Sequence, residues 1–171
     1  MPFVKPLPTD KAPSGSQPIL KKLTEKFGKP LNLFHTLAYQ SDLLGGVTQI
    51  NDGIRNDLPE KFRELAYLIS SQINGCEYCS TYHGKAAKKA GATDKQLQQI
   101  TDYAGSDAFD EQEQAVLAYA EQLTKTANVD KAVVDKLKGF LDDKQLVSLA
   151  GTVALANFTN RFNHGLDIEL P

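Results

Sequence analysis

Residues 64–83, ELAYLISSQINGCEYCSTYH, decide how this chain is read. Phe62, Leu65, Ile69 and Ile73 recur at helical spacing, Gly75 stops that run, and a second helix is expected from Cys76 to Ala90 with Gly91 in the left-handed position that closes it. Both cysteines of the chain and one of its three histidines fall in this stretch. Cys76 and Cys79 are three residues apart and His83 is four beyond Cys79, so all three project along one helix face. The unpaired N–H groups and dipole of the first helical turn favour thiolate over thiol, so a lowered thiol pKa is expected there. His83 can take a thiol proton or hold the thiolate as its counter-charge. With the two helices folded as an antiparallel hairpin at Gly75, Glu64 lies about three turns back and His83 about two turns forward, where the carboxylate would orient the imidazole.

Two blander readings stand beside this one. A Cys-x-x-Cys pair followed by His is half of a zinc site, but a closed tetrahedral site needs a fourth ligand and the chain has no further cysteine, so Glu64 or another histidine would have to fill the gap. Two inert cysteines packed as small hydrophobes is the other. Between the sulfurs the residues alone leave the nucleophile open: the helix dipole favours Cys76, and the adjacent turn of His83 favours Cys79.

Outward from this segment the chain reads as all-α. The first 18 residues carry five of the eight prolines and no helical or strand period, and are expected to be an extended or disordered arm, with one domain over 19–171. Helices are expected over 18–27, from Leu31 with an ambiguous stretch at Gly45-Gly46, and from Asn56 or Asp57 as cap with Pro59 in the first turn. Further on, Thr93 or Asp94, Asp110, Asp130 and Asp142 open the rest. The last helix contains LVSLAGTVALANF, residues 146–158, which is apolar on almost every side and must be covered on every side, as the centre of a bundle or as half of a subunit interface. Its polar end, Asn157, Asn160, Arg161, Asn163 and His164, is read as structural, with Arg161 as an ion-pairing group or a carboxylate binder. Lys85, Lys88 and Lys89 are read as a solvated face, and His35 as locally satisfied.

A chain of 171 residues with a formal net charge of −2 and both signs mixed offers no basic field for nucleic acid. No uninterrupted apolar run reaches about 18 residues, and no leader pattern opens the chain, so no membrane partner and a cytoplasmic location are expected.

Glu64, eleven residues, Cys76-Glu77-Tyr78-Cys79, three residues, His83, with Asn74-Gly75 before the first cysteine and Ala86 to Gly91 after the histidine, resembles the motif of the alkylhydroperoxidase D-like (AhpD-like) branch of the carboxymuconolactone decarboxylase superfamily. The resemblance is strong over residues 58–91 and loose elsewhere. It implies an all-α single-domain bundle, assembled as a trimer or hexamer. It also implies a peroxidase in which Cys79 attacks a hydroperoxide, Cys76 resolves the sulfenic acid to a disulfide, and Glu64 and His83 relay protons. Some members carry a histidine between the cysteines, where this chain has Tyr78. No cofactor or resident metal is expected, and the reductant would be a thiol or a lipoyl-bearing protein. The alternatives are a redox-sensing or stress-associated interaction protein using the same disulfide, and a carboxymuconolactone-type decarboxylase, which has no evident use for two adjacent thiols.

Overall fold

The computed structural model describes residues 1–170, and among them there is no β-strand. Nine α-helices follow one another: α1 (Gln17–Phe27), α2 (Asn32–Leu37), α3 (Ser41–Gly53), α4 (Glu60–Ile73), α5 (Glu77–Lys89), α6 (Asp94–Gln98), α7 (Glu111–Thr126), α8 (Lys131–Lys138) and α9 (Asp143–Leu166). The all-helical expectation holds. The chain divides into two compact units, one of residues 1–52 with the segment from Phe162 onward, the other of Gly53–Arg161.

In the first unit the proline-rich segment runs over the unit's own helices. Phe3 N–H donates to Leu166 O at 3.0 Å, Leu7 N–H to His35 O at 3.1 Å, and the Tyr39 hydroxyl to Lys5 O at 3.2 Å. Prolines cannot donate, so the residues between them make these anchors. His35 is buried with Nδ1 2.6 Å from Leu7 O, so it has a partner, but one 28 residues away rather than the local one its position suggested. The Gly45-Gly46 pair, ambiguous in the sequence, lies inside α3, where a Cβ added at Gly45 would meet Ile19 of α1 only at ordinary contact distance.

The second unit is built on α4. Leu65, Leu68 and Ile69 are fully buried and pack with Val116, Leu117 and Ala120 of α7, Ala87 of α5, and Leu149 and Val153 of α9. Buried leucine, isoleucine and valine side chains each stabilise by roughly 1.5–3 kcal/mol relative to exposure, which fixes α4 at the centre. Phe62 and Phe140 meet edge to face, ring centres 5.9 Å apart. Helix starts are set by side chains. Thr93 and Asp110 form reciprocal capping boxes with Gln96 and Glu113, and Asp142 exchanges the same pair of bonds with Gln145.

The run expected from Leu31 breaks at 38–40 into α2 and α3, and the start of α4 also differs from the sequence reading. Pro59 itself is the cap of α4, its extended ψ of 133° turning the chain into the helix, and Asp57 instead accepts from Lys144 at 2.7 Å. The last helix is covered on one side by its buried residues Leu149, Val153 and Ala156, while Val147 is 71 % exposed and Phe158 38 % exposed.

Candidate functional site

The turn that presents the cysteines follows from one glycine. Gly75 has φ +69°, its N–H bonds Gln72 O at 3.0 Å, and Cys76 N–H bonds back to Ser71 O at 2.8 Å. This pair of bonds closes α4 in a left-handed cap that glycine adopts without steric cost. Cys76, in extended backbone, becomes the cap of α5, and its carbonyl accepts the Ser80 N–H at 2.9 Å. Helix α5 therefore begins one residue later than expected, at Glu77, with Cys79 in its first turn and His83 one turn further on. Both cysteines are buried thiols, 2 % and 3 % exposed.

Across the hairpin, Glu64 Oε2 lies 2.7 Å from His83 Nδ1. Glu64 is buried, and its other oxygen accepts from Arg63 Nε at 3.2 Å and Nη2 at 2.9 Å, while Arg63 also reaches Glu60 at 3.2 Å. Burial on its own pushes the Glu64 carboxyl up, but the bond and charge of His83 and then those of Arg63 outweigh it and hold it below its ordinary value. The imidazole also lies flat on Tyr67, ring centres 3.5 Å apart and 12° between planes. His83 is thus fixed at its edge by a carboxylate and on its face by a phenol ring.

The environment of Cys79 differs from the simple helix-end expectation of a lowered thiol pKa. Its thiol is pushed up, first by its hydrogen bond with Cys76, then by burial and by charge on Cys76, against smaller opposing bonds from Asn160 and Thr159. The two thiols are neighbours in one buried place, so ionisation of one opposes ionisation of the other. Cys79 faces α9, where its Sγ is 3.9 Å from Thr159 Oγ1, and the Thr159 hydroxyl also bonds the Tyr67 phenol.

A buried polar network continues from there. Asn160 Nδ2 donates to Ser71 Oγ at 3.1 Å, Asn74 Nδ2 donates to Asn160 Oδ1 at 2.9 Å and to Asn157 Oδ1 at 3.1 Å, and Asn157 donates to Thr124, which donates to Ser70. These bonds tie the Cys76 corner to α7 and α9. Arg161 turns back onto its own helix, donating to the Asn157 carbonyl and side chain.

The structure thus brings Glu64 to His83 and Cys76 to Cys79 in one buried corner. Tyr67, Arg63 and Thr159 are members that the sequence reading left out. Tyr67 carried a signal, three residues after Glu64 on the same helix face, whereas Thr159 is a lone hydroxyl at the end of an apolar run. Among the described residues no group of three or more His, Cys, Asp or Glu side chains is placed to hold a metal ion, and no helix is long and apolar enough to cross a membrane.

Residues 41–122 match the carboxymuconolactone decarboxylase family. The uncharacterized protein YnjA of Escherichia coli K12 is 32 % identical over 116 residues, a match covering 67 % of this chain and 63 % of that protein. Among solved structures, the debrominase Bmp8 is 24 % identical with a TM-score of 0.83, covering 99 % of this chain and 92 % of its own. The alkylhydroperoxidase AhpD core of a peroxidase-related protein from Ralstonia eutropha JMP134 is 20 % identical with a TM-score of 0.87, again covering 99 % and 92 %. Over residues 41–122 the chain thus carries the match to the carboxymuconolactone decarboxylase family, and its fold is that of solved AhpD-like proteins.

Proposed function

We propose that this protein is a thiol-dependent peroxidase of the alkylhydroperoxidase type, working through a Cys76–Cys79 disulfide. The observation that carries the reading is the Glu64–His83 contact of 2.7 Å, one helical turn along α5 from Cys79, with Cys76 and Cys79 both buried as free thiols. A carboxylate-held imidazole one turn from a thiol is the arrangement that proton transfer at sulfur needs.

In this reading the Cys79 proton passes to His83, and the thiolate attacks the terminal oxygen of a hydroperoxide. An S–O bond forms, the O–O bond breaks, and the leaving alkoxide takes the proton back from His83 as an alcohol. Cys76 sulfur then attacks the Cys79 sulfenic acid. The S–S bond forms, the S–O bond breaks, and the hydroxide leaves with the Cys76 proton as water. Two thiols are oxidised to one disulfide as ROOH becomes ROH and water. Glu64 stabilises the imidazolium that exists between the two proton transfers. A thiol or lipoyl-type dithiol closes the cycle by exchange at the disulfide. The reading includes assembly as a homo-oligomer and a cytoplasmic setting, in keeping with a redox couple regenerated by soluble thiols.

The test is turnover of cumene hydroperoxide and hydrogen peroxide by reduced protein with dihydrolipoamide as donor, beside Cys79→Ser, Cys76→Ser and His83→Ala. Multiple turnovers in the wild type and none in either serine variant are expected. The same assay with 2,3,4-tribromopyrrole, the ligand of a Bmp8 complex, tests the competing electrophile. Bromide release without peroxide consumption would replace this reading with reductive dehalogenation. Oxidation without turnover, accompanied by a change in assembly, would favour a redox sensor.

A further inference from the structure

Thr159 is buried on α9, and its hydroxyl has four neighbours. Cys79 Sγ lies 3.9 Å away, the Tyr67 phenol is in hydrogen-bond contact, and the carbonyls of Leu155 and Ala156 are each at 3.1 Å. A hydroxyl has one hydrogen and two lone pairs. The carbonyls can only accept, so while Cys79 is a thiol the Thr159 hydrogen points to them, and Tyr67 O–H and Cys79 S–H both donate into the Thr159 oxygen. Tyr67 keeps its proton, because burial raises its phenol well above its ordinary value.

Loss of the Cys79 proton reverses one of these bonds. A thiolate can only accept, and rotation about the Thr159 C–O bond brings the hydroxyl hydrogen from the carbonyls to the sulfur. Leu155 and Ala156 lie within α9, whose backbone ladder continues to bond their carbonyls, so the rotation leaves no orphaned acceptor. The Tyr67 bond persists throughout and polarises the Thr159 hydroxyl toward donation.

We propose that Thr159, held by Tyr67, is a positioning residue that selects Cys79 as the charge-bearing sulfur, its hydroxyl accepting from the thiol and donating to the thiolate. The inference rests on Cys79 as the attacking sulfur of the proposed peroxidase. It also resolves what the helix dipole left open, since the cap position of Cys76 favours that thiol and the Thr159 hydroxyl offsets the preference. The titratable groups that act on Cys79 are Cys76 and Tyr67; His83 stacks against Tyr67 with Glu64 and Arg63 behind it, while α9 faces Cys79 with the neutral Thr159 and Asn160. The selection therefore comes from a dipole that does not itself titrate.

The test reads thiol ionisation directly, as the pH profile of iodoacetamide alkylation of Cys79 in a Cys76→Ser background. Adding Thr159→Val, nearly isosteric but without the hydroxyl, should move the Cys79 profile up by about one pH unit and slow alkylation at neutral pH about tenfold. Thr159→Ser should restore the original profile, and Tyr67→Phe, which keeps the ring on His83, should move it the same way by less. In a Cys79→Ser background Thr159→Val should leave the Cys76 profile in place. An unmoved Cys79 profile, an equal displacement of both cysteines, or failure of Thr159→Ser to rescue would overturn the proposal. Should Thr159→Val lose helix content, Tyr67→Phe decides, and no displacement in it counts against the proposal. Because no peroxide is used, absence of peroxide turnover would remove the proposed activity while leaving this result to stand or fall alone.

Discussion

Glu64 carries two partners on one buried carboxylate, His83 on one oxygen and Arg63 on the other. Removing its charge leaves the Arg63 guanidinium, 5 % exposed, with Glu60 alone. Breaking a buried pair in this way is strongly destabilising, so Glu64→Gln should cost on the order of 3 kcal/mol in urea unfolding and also lower thiol reactivity. The pH dependence has a definite sign. The folded-state pKa of Glu64 lies below its unfolded value, so its contribution is fully present above the ordinary glutamate range near about 4.3 and is lost as pH falls through the lower folded value. Wild type and Glu64→Gln should therefore differ most in melting temperature at neutral pH and converge in acid. A constant difference across that window would mean that the carboxylate does not hold its charge against His83 and Arg63.

The element that positions the chemistry is the α4–α5 corner. Gly75 sits at φ +69° with open space where a Cβ would go, so Gly75→Ala meets no clash and its cost is conformational, about 1–2 kcal/mol. Gly75→Asn should cost less, since asparagine tolerates the left-handed region. Alanine should also reduce thiol reactivity more than an equally destabilising change remote from the site, such as loss of the Thr93 cap, which should cost about 1 kcal/mol with reactivity intact. Equal reactivity in Gly75→Ala and Thr93→Ala at matched stability would separate the corner from the chemistry. This corner was legible in the sequence because its parts are local: a glycine, a three-residue cysteine spacing and a four-residue step to His83 all act within two turns. The Tyr67–Thr159 contact was not, because it spans 92 residues of chain, and a hydroxyl in an apolar helix gives no sign of which partner it will find. The thiol pKa was misjudged for a related reason. A helix-end argument considers the dipole alone, whereas burial and the second sulfur act more strongly on Cys79.

At the scale of the whole molecule, the helix pattern and its caps specified an all-α chain, and the buried face of α9 was readable from its run of apolar residues. The other face was not assigned by sequence, since an all-apolar helix reads alike whether it is sealed by its own chain or by another copy. With Val147 and Phe158 exposed, the oligomeric reading expects a sedimentation mass that is a multiple of the 18.7 kDa chain, reduced by Val147→Glu. The most direct test of the central claim is a thiol count and intact mass on reduced protein before and after one equivalent of hydroperoxide, in wild type, Cys76→Ser and Cys79→Ser. The account predicts loss of both thiols with the mass of one disulfide in wild type, and a trappable sulfenic acid only where Cys79 remains. Two unreacted thiols at unchanged mass would contradict it.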